Sequence, residues 1–399
     1  MTTNTNLTID MITREALKIA HEKLTFIGTV DRSYDNSFAS TGNGGKHGST
    51  LRIREPVQYK RTTGSRAMDI QNSTETSQTL TLATQDHVDM DFNSSELALD
   101  IENFSKRYIE PAMSVLVSGV EGDMLAAVTK DVYQVAGTYG TPPTDLVAVG
   151  AARAKLNQQL APKDRSRCIQ ADSVTMGGMI NGMKTLFNPT EQISEQFREG
   201  MLGRNAMADW YENDRTVAIT NTADVAGAIN NGTLTSGITD LTVDGLTAAP
   251  GAGMIFTVAD VYDVHPETKQ AYSHLKQFVC DSTCTTTNLS FTPALTYSTT
   301  DPKQNCSGTP VNDAAIAFTG SASTAYQQNL MYHKDAFTFV TADLPLMGDA
   351  EKCVRRVKDG LSLRVWTASD ILNDRMLTRI DILYGYKTIR PEWACRITS

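Results

Sequence analysis

With 399 residues, 40% of them hydrophobic and 20% charged, the chain has ordinary globular composition and length enough for two or three domains. A formal net charge of -9 and a pI near 5.2 exclude a protein whose main work is gripping polyphosphate, because that needs a basic surface that sheds counterions. No apolar run is expected to reach the ~20 residues that span a bilayer, and the polar stretch Met1 to Asp10 lacks the apolar segment of an export signal.

In chain order, Ile12, Ala16 and Ile19, and also Leu17, Ala20, Leu24 and Ile27, recur at three- and four-residue steps, which predicts an amphipathic helix over Ile9 to Ile27. Its apolar stripe fits docking on another subunit and packing on its own domain equally well. The glycine-rich Gly42 to Gly48 lacks the strand-before, helix-after setting of a phosphate loop and reads as a flexible link.

From Leu51 the period changes to two. Leu51, Ile53, Val57 and Tyr59 alternate with Arg52, Arg54 and Lys60, and Leu80, Leu82, Val88, Met90 and Phe92 alternate with polar residues. Two long strands with a polar tip, Thr62 to Ser77, form an extended hairpin on this reading. Its charges are segregated: Lys46 to Arg66 holds six Lys or Arg and one acid, Asp69 to Glu102 eight acids and no Lys or Arg. Between neighbouring copies such a pattern would set register and encounter rate, which makes Arg52, Arg54, Lys60, Asp89 and Asp91 the candidate intersubunit contacts. His87, Asp89 and Asp91 share one strand face and have metal-ligand types, but a fourth ligand is missing and a solvated acidic face is the preferred reading.

Asn93 and Glu96 resemble a capping box opening a helix to Glu110, which Pro111 interrupts. Leu116, Val120, Met124, Val128 and Val132 then recur every four residues, predicting a spine helix of about 25 residues and about 38 Å. Thr144 is the expected cap of the next helix, with Leu146, Val149, Leu156 and Leu160 on its face and Pro162 closing it. A helix over Asp172 to Phe187 completes an α/β unit. Beyond Asn221 the composition turns to Thr, Ser, Gly and Ala with short β-type runs, an all-β module ending near Ser323. Longer strands resume at Met331 to Val340, Leu361 to Trp366 and Ile380 to Tyr386.

Candidates for chemistry are weak. The six cysteines are dispersed like reduced cytosolic thiols, and Cys280 and Cys284, without a second pair or a histidine at finger spacing, read as neighbouring strand positions. Asp263, His265 and Glu267, and likewise His333 to Asp335, have no nucleophile motif beside them. Trp210, Trp366 and Trp393 read as core anchors.

Several segments carry a resemblance: Arg107 to Ala112, Leu186 to Pro189, Ile193 to Gly200, Trp210 to Glu212, Val258 to Glu267, Leu275 to Val279, Asn329 to Phe337, Leu383 to Tyr386 and Arg390 to Glu392. In this order they resemble the coat proteins of Salmonella-podovirus-type tailed bacteriophages, over most of residues 90 to 399. The resemblance implies an α+β, Hong Kong 97-type capsid fold: an N-terminal arm (1–35), an extended hairpin loop (36–92), a spine helix and peripheral domain (93–140), an axial domain (141–221), an inserted β-barrel (222–325) and returning strands (326–399). It also implies a non-enzymatic major capsid protein of the virion, assembled in the host cytoplasm as pentamers and hexamers of itself, without cofactors or membrane. Scaffolding protein, portal and loosely held double-stranded DNA would be its partners. Arm and hairpin would gain most of their buried apolar surface from neighbouring copies. Alternatives from other classes are a trimeric decoration or tail receptor-binding protein, and a hydrolase built on Asp86 to Asp91.

Overall fold

The computed structural model describes residues 13, 14, 16–20, 24–34, 50–64, 68, 70, 71, 75–93, 108–183, 202–222, 226–232, 234–347, 352–358, 361–370, 372, 373 and 375–398. Gly42 to Gly48, the helix expected after Asn93 and the Leu186 to Gly200 motifs lie outside the described residues.

Along the chain come β1 (Thr50–Arg54), β2 (Ser77–Thr81), β3 (Thr84–Asn93), α1 (Glu110–Asp131), β4 (Val135–Ala136), α2 (Leu146–Gln158), β5 (Arg167–Ala171) and α3 (Ser173–Met183). Next are β6 (Arg204–Asn205), β7 (Ala208–Glu212), β8 (Val217–Thr220), β9 (Ala226–Ile229), β10 (Ile238–Asp244), β11 (Ile255–Val264), β12 (Ala271–Cys280) and β13 (Asn288–Leu295). The last are β14 (Cys306–Ser307), β15 (Ala315–Phe318), β16 (Ala325–His333), β17 (Phe337–Ala342), β18 (Lys352–Lys358), β19 (Leu361–Asp370), β20 (Arg375–Thr388) and β21 (Ala394–Thr398). They divide into two compact units, the first made of residues 1–53, 78–124 and 337–387 and the second of 54–77, 125–336 and 388–399.

In the first unit, β17, β20, β19 and β18 lie side by side, and β3 pairs with β20 in antiparallel register from Arg375 opposite Asn93 to Tyr384 opposite Thr84. The second long strand expected from the sequence is therefore two strands. β2 pairs with β1, and β3 leaves the pair to join this five-stranded sheet. The alternation of apolar and polar residues runs through both halves, so periodicity alone has no mark at the break.

Residues 13–20, as far as described, are helical, with Ala16, Leu17, Ile19 and Ala20 buried. Ala20, Leu24 and Ile27 face Met113, Leu116 and Val120 of α1 together with Leu361, Leu363 and Ile382 of the sheet. Glu121, buried on α1, accepts hydrogen bonds from the Thr25 backbone N–H (3.0 Å) and hydroxyl (2.9 Å). The stripe of the first segment is thus covered by its own chain. This corrects the expectation that an arm at 1–35 takes its apolar cover mainly from neighbouring copies: for residues 13–30, α1 offers a matching stripe in cis.

The spine helix α1 has 22 residues, about 33 Å. Pro111 is the second residue of α1, directly after π-helical Tyr108 and Ile109, so the helical hydrogen-bond pattern changes at the proline, where the sequence expects an interruption. Leu116, Val120, Met124 and Val128 are buried, as is Val132 just past its end. By length and composition α1 could cross a membrane, contrary to the sequence reading, and half of its most apolar stretch is buried.

In the second unit, β4, β21, β16, β5, β7 and β6 lie in that order, with β8 also on β16. β5 pairs with β7, and β4 with β21, in parallel, while β16 is antiparallel to β5, β8 and β21. Val149, Ala152 and Leu156 of α2 and Met176 and Met179 of α3 pack with Ile169, Met331 and Ile397 of this sheet. Asp145, one residue after the expected Thr144, caps α2 by accepting from Val147 N–H (3.0 Å). Gly182 lets α3 lie on the loop before α2, since a Cβ there would collide with the Thr144 carbonyl oxygen.

The all-β module is a closed ring of six strands, β12-β13-β10-β9-β15-β11 and back to β12, with β14 on the far half of β11. Phe256, Phe278, Phe291 and Phe318 fill it, with ring centroids 5.2–5.7 Å apart among contacting pairs. Asp260 takes a positive φ (61°) where the β11–β12 register shifts, and such a bulge turns β11 from β15 towards β14. The ring's two ends leave the sheet together: β8 pairs with β16, Asn221 N–H donates to Thr324 O (2.9 Å) and Ser323 N–H to Thr222 O (2.8 Å).

Candidate assembly surfaces

β1 and β2 form a two-stranded sheet whose Ile53 and Leu80 are buried and whose Thr50, Arg52, Arg54, Ser77, Thr79 and Thr81 are exposed, the alternation of half-covered strands. Beyond the ladder the two segments stay joined. Glu55 N–H donates to Thr76 O (2.8 Å), the Thr76 hydroxyl donates to the Glu55 carboxylate (2.6 Å), and the Gln71 side chain accepts from Lys60 N–H (2.7 Å). Lys60 Nζ reaches Thr299 O (2.6 Å) and Lys303 Nζ the Thr76 hydroxyl (3.2 Å), both within the second unit.

Three large apolar side chains stand in water on this segment: Met68 is 90% exposed, Ile70 81% and Tyr59 65%. The sequence reading of Thr62 to Ser77 as a purely polar tip missed two of them. The available signal was the spacing of Met68 and Ile70, two large apolar residues two positions apart in a run otherwise without any.

The five candidate contact residues divide into two groups. Arg54 is held by Glu75 at 3.2 Å across the segment, both side chains exposed, and Arg52 is exposed with no ion-pair partner among the described residues. Asp89 and Asp91 stand on β3 and not on the β1–β2 pair. Arg379 Nε and Nη2 donate to Asp89 at 2.6 and 3.0 Å, and His87 Nδ1 lies 3.1 Å from the same carboxylate. The guanidinium hydrogen bond from Arg379 is the main cause holding the Asp89 carboxyl below its ordinary range. Asp91 lies 3.9 Å from Arg375. The acidic strand therefore has basic partners in its own sheet.

Other sequence candidates have structural settings. Among the described residues no three His, Cys, Asp or Glu side chains converge as a metal site. Asp86 accepts from the Tyr384 hydroxyl (2.9 Å), and burial together with that bond raises the phenol's pKa. His265 caps its own turn, accepting from Glu267 N–H. His333 is buried edge-on to Trp393 with Asp164 at 3.1 Å. Asp263 joins a polar clamp between the barrel and α2: Lys276 donates to it at 2.8 Å and Gln159 at 2.9 Å, while Lys155 donates to Gln277 and to Val135 O. No arrangement of nucleophile, base and oxyanion donor appears in these settings. They are settings for holding shape.

Residues 213–396 match the family model "P22 coat protein - gene protein 5". The match takes in the barrel and the strands after it, but not Arg107 to Ala112 or Leu186 to Gly200. In three dimensions 94% of the chain superposes on 90% of a protein of Mycobacterium phage Che8, with a TM-score of 0.51 at 12% identity. A capsid protein of Ralstonia phage GP4 is similar over 94% of this chain and 91% of its own, with a TM-score of 0.50 at 6% identity. The chain is a phage major capsid protein. No curated protein matches it in sequence. At such identities the structural likeness is one of fold, Hong Kong 97-like, with helices, sheets and one closed six-stranded barrel.

Proposed function

We propose that this capsid protein closes an icosahedral shell around double-stranded DNA as pentamers and hexamers, using the far end of the β1–β2 segment to grip a neighbouring copy. The observation that supports the reading is the exposure of Met68, Ile70 and Tyr59, since burying each on a neighbour is worth about 1.5–3 kcal/mol. Arg52 supplies charge to that contact. Asp89 and Asp91 are already paired in cis with Arg379 and Arg375, so they would meet a neighbour only as parts of those ion pairs. Weak contacts of this kind add by multivalency when repeated around a closed particle. The net charge of -9 fits loose, non-specific holding of packaged DNA. Scaffolding protein and portal complete the partners, and assembly takes place in the host cytoplasm.

Negative-stain electron microscopy of the purified chain under assembly conditions tests the reading. Round particles or capsomer rings are expected; a uniform trimer would favour a decoration or tail protein instead and sink the proposal.

A further inference from the structure

Between β9 and β10 the barrel pins its chain on either side of a short free stretch. Asn230 N–H donates to Thr242 O (2.9 Å), and Leu234 is buried in the aromatic core while its carbonyl accepts from the Tyr297 hydroxyl (2.5 Å). Asn231 and Gly232 lie between these anchors, the first half-buried and the second exposed. Neither the Asn231 carboxamide nor the Gly232 N–H has a hydrogen-bond partner among the described residues. A Cβ built on Gly232 would meet no heavy atom within 4 Å, so the backbone there stands in open space.

An asparagine followed by glycine in such a setting is chemically labile. Without a Cβ on the second residue, its backbone nitrogen is free to close on the carboxamide carbon of the first. We propose that Asn231 is a self-modification site, at which the chain turns asparagine into aspartyl and isoaspartyl residues without an enzyme. The Gly232 nitrogen gives its proton to a base in the solvent and attacks Asn231 Cγ. The new N–Cγ bond forms, the carboxamide C–N bond breaks, and the leaving nitrogen takes up a proton and departs as ammonia. A five-membered succinimide remains. Water then adds to either ring carbonyl and opens the ring: one opening restores the main chain with an aspartate, the other leaves the main chain running through the side chain as isoaspartate. One water has entered, one ammonia has left, and nothing is oxidised or reduced.

Three Asn–Gly steps occur in the chain, and their settings differ. Asn43–Gly44 lies outside the described residues. Asn181–Gly182 lies within α3, with Gly182 against the Thr144 carbonyl. A helix commits the backbone N–H to its own ladder and holds it away from the preceding side chain, so the ring cannot close there. Asn231 has no such restraint. Its product carries one more negative charge, -10 in place of -9 for the chain, and isoaspartate also lengthens the main chain between the Thr242 and Tyr297 anchors. The chemistry belongs to the chain alone and does not require the capsid reading.

The test holds the full-length folded protein at physiological temperature in mildly alkaline buffer made with heavy-oxygen water, followed by peptide mapping with mass spectrometry. Asn231 should lose ammonia and gain heavy oxygen as a mixture of aspartate and isoaspartate, more slowly in mildly acidic buffer, while Asn181 stays intact. In urea Asn181 should be modified as well. Gly232→Ala, for which there is room, should keep the unfolding transition and slow the reaction about tenfold, since a Cβ hinders ring closure. Overturning results are an Asn231 still intact after a synthetic peptide spanning 228–236 has been converted, Asn181 modified as fast as Asn231 in the folded chain, or an unchanged rate in Gly232→Ala.

Discussion

Arg379 faces Asp89 directly across the β3–β20 ladder, and its guanidinium grips both carboxylate oxygens. A carboxyl whose folded pKa lies below its unfolded value of ~3.9 contributes stability above that value and loses it as pH falls through the folded pKa. Arg379→Ala should therefore raise the Asp89 pKa, read by carboxyl NMR titration. Both side chains are substantially exposed, so the stability change at neutral pH should stay below about 1 kcal/mol. An unmoved Asp89 titration would show that the pair does not form in solution.

Arg364 and Asp381 are the buried counterpart, with Arg364 Nε donating to Asp381 at 3.0 Å and Gln85 adding a further donor at 3.1 Å. Asp381→Ala would leave a buried guanidinium uncompensated, a loss of about 3–5 kcal/mol. Urea unfolding measures it. A loss comparable with that of Arg379→Ala would contradict the burial of the pair.

Gly182→Ala would place a methyl group against the Thr144 carbonyl. Since neither backbone can yield cheaply, the helix gain of about 1 kcal/mol from Gly to Ala should be outweighed and the variant be less stable than the parent. A higher melting temperature would mean that α3 does not rest on that loop.

Met68→Ser with Ile70→Ser should leave monomer stability within about 0.5 kcal/mol, because both side chains are exposed in the single chain. Shell yield by sedimentation should fall sharply, and Arg52→Glu should act in the same direction. Normal shells from both variants would take the β1–β2 segment out of the assembly contact.

A fragment covering 222–325 should give a dispersed amide NMR spectrum, since its ring of strands closes on its own aromatic core. It should also be less stable than the same region in the full chain, because Asp263 loses Gln159 and Gln277 loses Lys155. A collapsed spectrum would show that the clamp to α2 is required for folding.

Much of this architecture was legible in the residues, and the exceptions share a cause. The stripe Leu116, Val120, Met124 and Val128 marked α1, and the change to Thr, Ser and Gly after Asn221 marked the barrel, because both are local patterns with a fixed period. What failed was pairing. Residues 80–92 alternate correctly for strands, yet alternation does not say that β2 joins β1 while β3 joins β20 nearly three hundred residues later in the chain. The acids of β3 were assigned to neighbouring copies for the same reason, while Arg375 and Arg379, distant in sequence, are their partners. The first segment's stripe likewise revealed an apolar need without revealing that α1 meets it in cis.

Asn221 and Thr324, the two gateposts of the inserted barrel, are joined by a backbone hydrogen bond at the end of the β8–β16 ladder. A whole module is thus carried on a doorway no wider than a hairpin turn, and the sheet beneath it would close just as well over a short loop. Lineages could gain, lose or exchange such a lodger without redrawing the wall it stands on, and a foreign domain with adjacent termini could be seated in the same doorway.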